Sequence, residues 1–511
     1  MSFNKKLISA AVLSAVSAGA AQAAALSQDG TGQVLLYPYY TTRGGTDTLI
    51  TLINTTNRAK AVKVRFLEGM NSKEVLDFNL YLSKYDVWTG AVTSDASGNP
   101  VLVVADKSCT APIRVSGIAG VHNEPFRNTL LTEAGKVNGV MVVAPNTIDR
   151  AKEGYLEVIE MGDITQAATP GTAIPTSADP SKTIQFESAV THVAGVPRDC
   201  QAVENAWNTG VFPVAKTDFD TYTGALMGSG TLINVAQGTD YSYDPVVLTA
   251  FSASKLAHSV PGSLSPSLAD GDPASNIITT AGVAQPDTWL NSSSATSGAG
   301  AASGTSAAAV SALLMRQAVM NEYVIDPALA AGTDWVVNFP TRRFHIGDLP
   351  ADYSYDYWPF RKGFLEDVAG YCEKIGLGYY GQEEQSVSSG IDVSPSTTSF
   401  HQLCWEVNTI TFKHSNVLAS TNKYDLNNVA YNSGWAFINF NISAMDDMGN
   451  PTSYTGEAAP GLEHYMLSDA GHTYTGLPAI GFAVEKYVNG SVNGVLSNYG
   501  GAYIHKYRNA F

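Results

Sequence analysis

The stretch DTLITLINTTNRAKAVKVRFLEGMNSKEVLDFNLYL, residues 47–82, decides the fold class. Residues 60–66 alternate strictly, with Val62, Val64 and Phe66 on one side and Lys63 and Arg65 on the other. After a turn-forming segment at 69–73, Leu76, Phe78, Leu80 and Leu82 alternate against Asp77, Asn79 and Tyr81. Period two marks strands with a single apolar face, so these segments predict half-buried antiparallel neighbours. The preceding run, 47–55, is an unbroken series of β-formers and predicts a strand buried on both faces. A sheet with one apolar face must bury it against a second layer. The expected fold is therefore mainly β: antiparallel β-sandwiches with long loops and one or two short helices.

Working outward, similar strand candidates recur at 155–161, 231–235, 335–339, 372–380, 404–413, 435–442 and 480–487. TLITLINTT (48–56) and TLINVAQGT (231–239) look alike and hint at an internal duplication of a sandwich. Residues 307–323 carry Val310, Leu313, Leu314, Ala318 and Val319 at helical spacing and predict a helix; a shorter one is expected at 201–207. Segments 162–182, 292–306 and 386–399 read as loops or linkers. The expected organisation is a leader at 1–23, an N-terminal sandwich region at 24–290, a Ser/Ala/Gly-rich connection at 291–309 and a C-terminal β-rich region at 310–511.

The leader has the three parts of a secretory signal: Lys5 and Lys6, an apolar stretch at 7–18, and Ala21-Gln22-Ala23 as a cleavage site that predicts a mature start at Ala24. No cysteine follows that site, and no later segment carries the run of ~20 apolar residues that a membrane helix needs. Net charge is −16, and becomes −18 once Lys5 and Lys6 are removed. That balance repels nucleic-acid phosphates and anionic lipid, and argues against both as partners. Cys109, Cys200, Cys372 and Cys404 are an even set, read as two disulfides in an exported chain. Of three connectivities, Cys109–Cys200 with Cys372–Cys404 keeps each bridge within one half and places the second at the ends of neighbouring strands.

GQVLLYPYYTTRGGTDTLITLINTTNRAKAVKVRFLEGMNSKEVLDFNLYLSKYDVWTG (32–90), TDWVVNFPTRRFH (333–345) and GLPAIGFAVEKYVNG (476–490) together resemble a group of exported proteins of Gram-negative bacteria described only as cell-surface proteins. The resemblance implies an extracytoplasmic location and a β-rich fold, and no chemistry.

Enzyme-like fragments lack their companions. Gly304-Thr305-Ser306-Ala307-Ala308 resembles a subtilisin-type nucleophile segment without the aspartate and histidine contexts, and Ser252-Ala253-Ser254-Lys255 is an isolated Ser-x-x-Lys. The nine histidines show no i, i+4 pair; His464 and His472 lie beside Glu463 and Asp469 without metal-ligand spacing. Asp270 and Asp272, and Asp446, Asp447 and Asn450, offer at most a weak calcium loop, so no cofactor is indicated. Glu383 and Glu384 are carboxylates to weigh for glycoside chemistry in a polar segment. Tyrosine is in surplus, 25 against 18 Phe and 7 Trp, in clusters at 37–40 and 352–360. Tyr353, Tyr355, Tyr357 and Trp358 form the candidate contact cluster, because rings interleaved with Asp suit sugar stacking or protein contacts. A terminal Phe511 with Tyr503 and Tyr507 in alternation raises an outer-membrane barrel as an alternative, opposed by His505 and Asn509 on the same face. The expected function is a secreted, non-catalytic surface protein, structural or adhesive and self-associating. The alternative is an exported carbohydrate-binding or carbohydrate-active protein.

Overall fold

The computed structural model describes residues 23–132, 147–164, 173–212, 219–220, 223–253, 256, 258–290, 304–346, 359–360, 372–385, 401–443 and 462–510. Within them the chain builds two packed pairs of sheets. The first sheet runs, in spatial order, Ala25–Leu26, Val246–Thr249, Val34–Thr41, Glu153–Ile164, Lys60–Glu68, Glu74–Leu82 and Cys109–Ala111, with Phe219–Asp220 on the end of Glu153–Ile164. Facing it are Thr239–Tyr243, Leu226–Asn234, Asp47–Asn54, Val87–Ser94, Pro100–Val104 and His122–Pro125. Val62, Val64, Phe66, Phe78 and Leu80 meet Ile50, Leu52, Trp88, Val92 and Leu102 between the layers, as the alternation around residue 64 requires.

The two strands flanking the first turn differ from the expectation in opposite senses. Asp47–Asn54 is half-exposed, with Leu49 40% accessible, because its sheet packs on one side only. Lys60–Glu68 is buried on both faces. Its polar side is roofed by the segment around 258–265 and by the short helix Arg342–Ile346, and its charges are matched internally: Lys63 with Asp77, and Arg65 with Glu74 at 2.7 Å and Glu157 at 3.2 Å. Helices Phe186–Val190 and Cys200–Asn208 close the same outer face over Tyr81, Ala59 and Ala61. The second of these is the predicted short helix, N-capped by the Asp199 carboxylate accepting from the Ala202 amide at 3.0 Å. The look-alike segments at 48 and 231 are neighbours in one sheet, with Leu49 opposite Thr231, so their likeness reflects shared strand chemistry and does not mark repeated domains.

In the second pair, His401–Leu403, Glu373–Gly381, Ser433–Asn439, Met315–Val324 and Leu477–Pro478 form one sheet, with Lys506–Asn509 also on Met315–Val324. Lys423–Leu426, Val407–Phe412, Ala331–Asn338, Ile480–Val492 and Val495–Ile504 form the other, antiparallel except for Lys423–Leu426 against Val407–Phe412. Every sheet is open, and no barrel closes among the described residues. The helix expected over 307–323 ends at Leu314; Met315–Val324 is a strand. Helical and strand periods both fit so short an apolar run, and pairing with Ser433–Asn439 settles it as a strand. Helix Gly304–Leu314 itself is apolar on all sides and is sunk in a shared core with Val34, Leu36, Leu248, Trp289 and Ile480.

The two pairs are joined by more than that helix. Val336, Phe482 and Val484 complete the core of the first pair, and Tyr243 stacks on Phe482 at 4.6 Å. Arg343 reaches Glu157 at 2.7 Å, and Glu153 accepts from Tyr39, Arg43, Ser420 and Thr421.

Candidate functional site: an aromatic ledge

The paired cysteines fall where the chain topology needs ties. Cys109–Cys200 (Cα–Cα 5.1 Å) fastens helix Cys200–Asn208 to the edge strand Cys109–Ala111. Cys372–Cys404 (4.1 Å) is the expected pairing, but its strands differ: it links residues just outside the paired strands Glu373–Gly381 and His401–Leu403, while the strand expected to start at Cys404 begins at Val407 in the other sheet. These bonds indicate folding in an oxidising, extracytoplasmic setting.

The remaining sequence candidates are dispersed. Tyr353, Tyr355, Tyr357 and Trp358 lie outside the described residues, as do Lys255, Asp446, Asp447, Asn450, Phe511 and the leader up to Gln22. The other tyrosine cluster is core: Tyr37, Tyr39 and Tyr40 are buried, and their hydroxyls donate to Thr51 O, Glu153 and Ala151 O. Ser306 is buried and its hydroxyl donates to Leu268 O. His464 sits between the carbonyls of Pro359 and Lys374, whereas His472 turns to Asp287. Asp270 caps the amide of Ser267, and Asp272 that of Ala253. Among the described residues no three His, Cys, Asp or Glu side chains gather into a metal-ligand group, and no helix is long and apolar enough to cross a membrane.

Two concavities remain to be weighed. The first, of about 560 Å³, lies on the outer face of the first sheet between Glu74, Asp77, Arg114, Glu204, Trp207 and Gly262. Its charges are already matched. Glu74 binds Arg65, Asp77 binds Lys63 and the Gly262 amide, Glu204 accepts from the Ile113 amide, and Arg114 binds Glu124. Burial pushes the Glu74 carboxyl up while Arg65 opposes it. Such a pocket offers a ligand little that it does not already satisfy.

The second, of about 480 Å³, lies on the outer face of the C-terminal pair and is lined by Glu322, Tyr380, Gln382, Glu384, Ser433 and Trp435, among others. Here the strands themselves build a flat aromatic surface. Glu322, Trp435 and Tyr380 are directly opposite one another across three strands, and Met320, Phe437 and Gly378 form the next row. Cross-strand partners share a face, so one side of the sheet carries both rows, while Ala436 and Ile438 point into the core. Tyr380 and Trp435 stack with centroids 4.9 Å apart and planes 14° apart; Phe437 follows at 5.9 Å. Gly378 has a local reason to be glycine: the Phe437 ring lies where its Cβ would be. Trp435 is 42% accessible, and it is the one exposed tryptophan among the described residues.

The polar rim is acidic. The carboxylates of Glu322 and Glu384 make no hydrogen bond or ion pair among the described residues. Beyond Glu322, on Ile480–Val492, Glu485 is buried, accepts from the Tyr487 hydroxyl at 2.8 Å, and leaves its Oε1 without a partner among the described residues. Burial pushes the Glu485 carboxyl up, and repulsion from Glu322 adds to it; burial, reinforced by the same two carboxylates, also raises Tyr487 and Tyr503. Chemically the ledge offers a stacking plane, an amide, a hydroxyl and uncompensated carboxylate oxygens.

Sequence reasoning located both strands but not the ledge, because an apolar run such as Trp435-Ala436-Phe437-Ile438 reads as buried on both faces. The available signal was a glycine opposite a ring: Gly378 faces Phe437 across the strands and leaves that side of the sheet clear for it. Comparison of the chain with protein-family models, curated proteins and solved structures finds no match in any of the three, so the reading of its function rests on the ledge and its surroundings.

Proposed function

We propose that the chain is a secreted, non-catalytic adhesive protein of the cell surface that holds a saccharide on the ledge formed by Tyr380, Trp435 and Phe437. The observation that carries this reading is the stacked Tyr380–Trp435 pair, left open on a rigid sheet beside unengaged carboxylates. Flat rings bury the apolar face of a pyranose, while carboxylate and amide oxygens accept from its hydroxyls. Export is supported by the two disulfides. A glycan array probed with the secreted protein tests this. Binding should be lost in Trp435→Ala and weakened in Tyr380→Ala, with circular dichroism unchanged. Undiminished binding by Trp435→Ala would sink the assignment.

A second reading, self-association, has its own observation. The hairpin of Ile480–Val492 and Val495–Ile504 exposes Val488, Leu496 and Ile504 on one face and Val495 and Tyr499 on the other. Ordered polymers in electron micrographs, lost on Leu496→Asp and retained on Trp435→Ala, would favour it over saccharide binding.

A further inference from the structure

Resting on the saccharide reading, we infer that the ledge selects sugars carrying a protonated amine, such as glucosamine units, over N-acetylated, neutral or acidic ones. Three features converge. The cavity beside Trp435 is lined by two carboxylates, Glu322 and Glu384, and among the described residues by no lysine or arginine. Glu485, on the neighbouring strand Ile480–Val492 and outside that lining, lies near enough to Glu322 for the two carboxylates to repel each other, and so adds negative field beside the cavity. One of its oxygens is held by the Tyr487 hydroxyl. Finally, an ammonium over an indole face is attracted by the ring quadrupole, and Trp is the strongest such partner.

The charges on the rest of that face orient the ligand without reversing the preference. Lys506 lies opposite Met320, in the row next to Glu322, and Arg508 opposite Ala318, one row further along. An amino sugar seated on Tyr380 and Trp435 therefore meets Glu322 and Glu384 on the cavity side and cations on the Met320 side, so its amine turns toward the glutamates. A uronate or sulfate in the same seat would meet Glu322 and Glu384 without compensation, and an N-acetyl group would lose the charge and gain bulk there.

The test uses the whole secreted protein and three β-1,4-linked hexamers: glucosamine, N-acetylglucosamine and glucose. Binding is read by calorimetry and by tryptophan fluorescence, at low and high salt. The glucosamine hexamer should bind about tenfold tighter than either other sugar at low salt, and the advantage should shrink at high salt. Glu322→Gln, an exposed position, should bring the three affinities within about twofold of each other, whereas Trp435→Ala should abolish binding of all three. Equal, Trp435-dependent affinities for the three in the native protein would overturn the amine preference and leave the saccharide reading intact. Binding of none would overturn both. Pentalysine competing as strongly as the glucosamine hexamer would show that the site reads amines without the sugar ring, and would also overturn the inference.

Discussion

Replacing Glu160 by Gln should make the protein more stable, and increasingly so as the pH rises. Lys60, Glu160 and Asp163 are completely buried; the Lys60 ammonium donates to Glu160 Oε1 and Asp163 Oδ1, both at 2.6 Å, and to Thr223 Oγ1 at 2.7 Å. One cation thus faces two carboxylates, and Glu160 Oε2 and Asp163 Oδ2 are unpartnered among the described residues. Burial, reinforced by Asp163, pushes the Glu160 carboxyl from 4.5 up to about 8 although Lys60 opposes it. The folded state therefore holds a proton there that the unfolded chain releases above pH 4.5. Stability falls with pH by about 1.4 kcal/mol per unit through the window from 4.5 to 8, and levels off above it. Gln carries no such proton and resembles the neutral acid in shape. Between pH 5 and 7 the stability of Glu160→Gln relative to the parent should grow by about 2–3 kcal/mol. Urea unfolding at intervals of half a pH unit, with disulfides intact, measures it. Parallel stability curves would refute the reasoning, because they would mean that Glu160 is ionised in the fold and fully compensated by Lys60.

Two further outcomes follow from the same packing. Arg343→Ala leaves Glu157 buried with Arg65 as its remaining partner and removes a tie between the two sheet pairs, so it should cost about 3–5 kcal/mol in urea unfolding, more than Arg43→Ala. The paired Cys109→Ala and Cys200→Ala replacement opens a closed loop of 91 residues, and Cys372→Ala with Cys404→Ala one of 32. Chain-entropy arguments give losses of about 5 and about 4 kcal/mol respectively, so calorimetry should show the larger drop in Tm for the first pair.

What was legible in the sequence was the sharing of faces. Val62, Val64 and Phe66 were placed together, as were Lys63 and Arg65, and the structure keeps both groupings. What was not legible was which face is wet. Lys63 and Arg65 looked like a solvated side, yet each has its carboxylate beneath a roof formed by residues more than 180 positions away. Leu49 reads as buried on chemical grounds and is exposed, since nothing among the described residues covers it on that side of its sheet. A strand pattern encodes alternation, and the second layer that covers it is encoded elsewhere in the chain. The same limit explains the helix that stops at Leu314: its continuation is a strand because Ser433–Asn439 and Lys506–Asn509 lie alongside to receive it.

The candidate site is this ambiguity resolved in the functional direction. Local composition marked 37–40 as the described tyrosine-rich stretch, and those rings fill the core with their hydroxyls satisfied by backbone and Glu153. Trp435 and Tyr380 are in no cluster at all; they are 55 positions apart and meet only through strand register. Tyrosines adjacent in sequence on a strand point to opposite faces, so clustering along the chain splits rings between two surfaces. Clustering across strands stacks them on one. A platform wide enough for a sugar ring therefore has to be assembled from separate strands, here with Gly378 leaving room for Phe437. Register, more than composition, is the property that makes this surface a binding site.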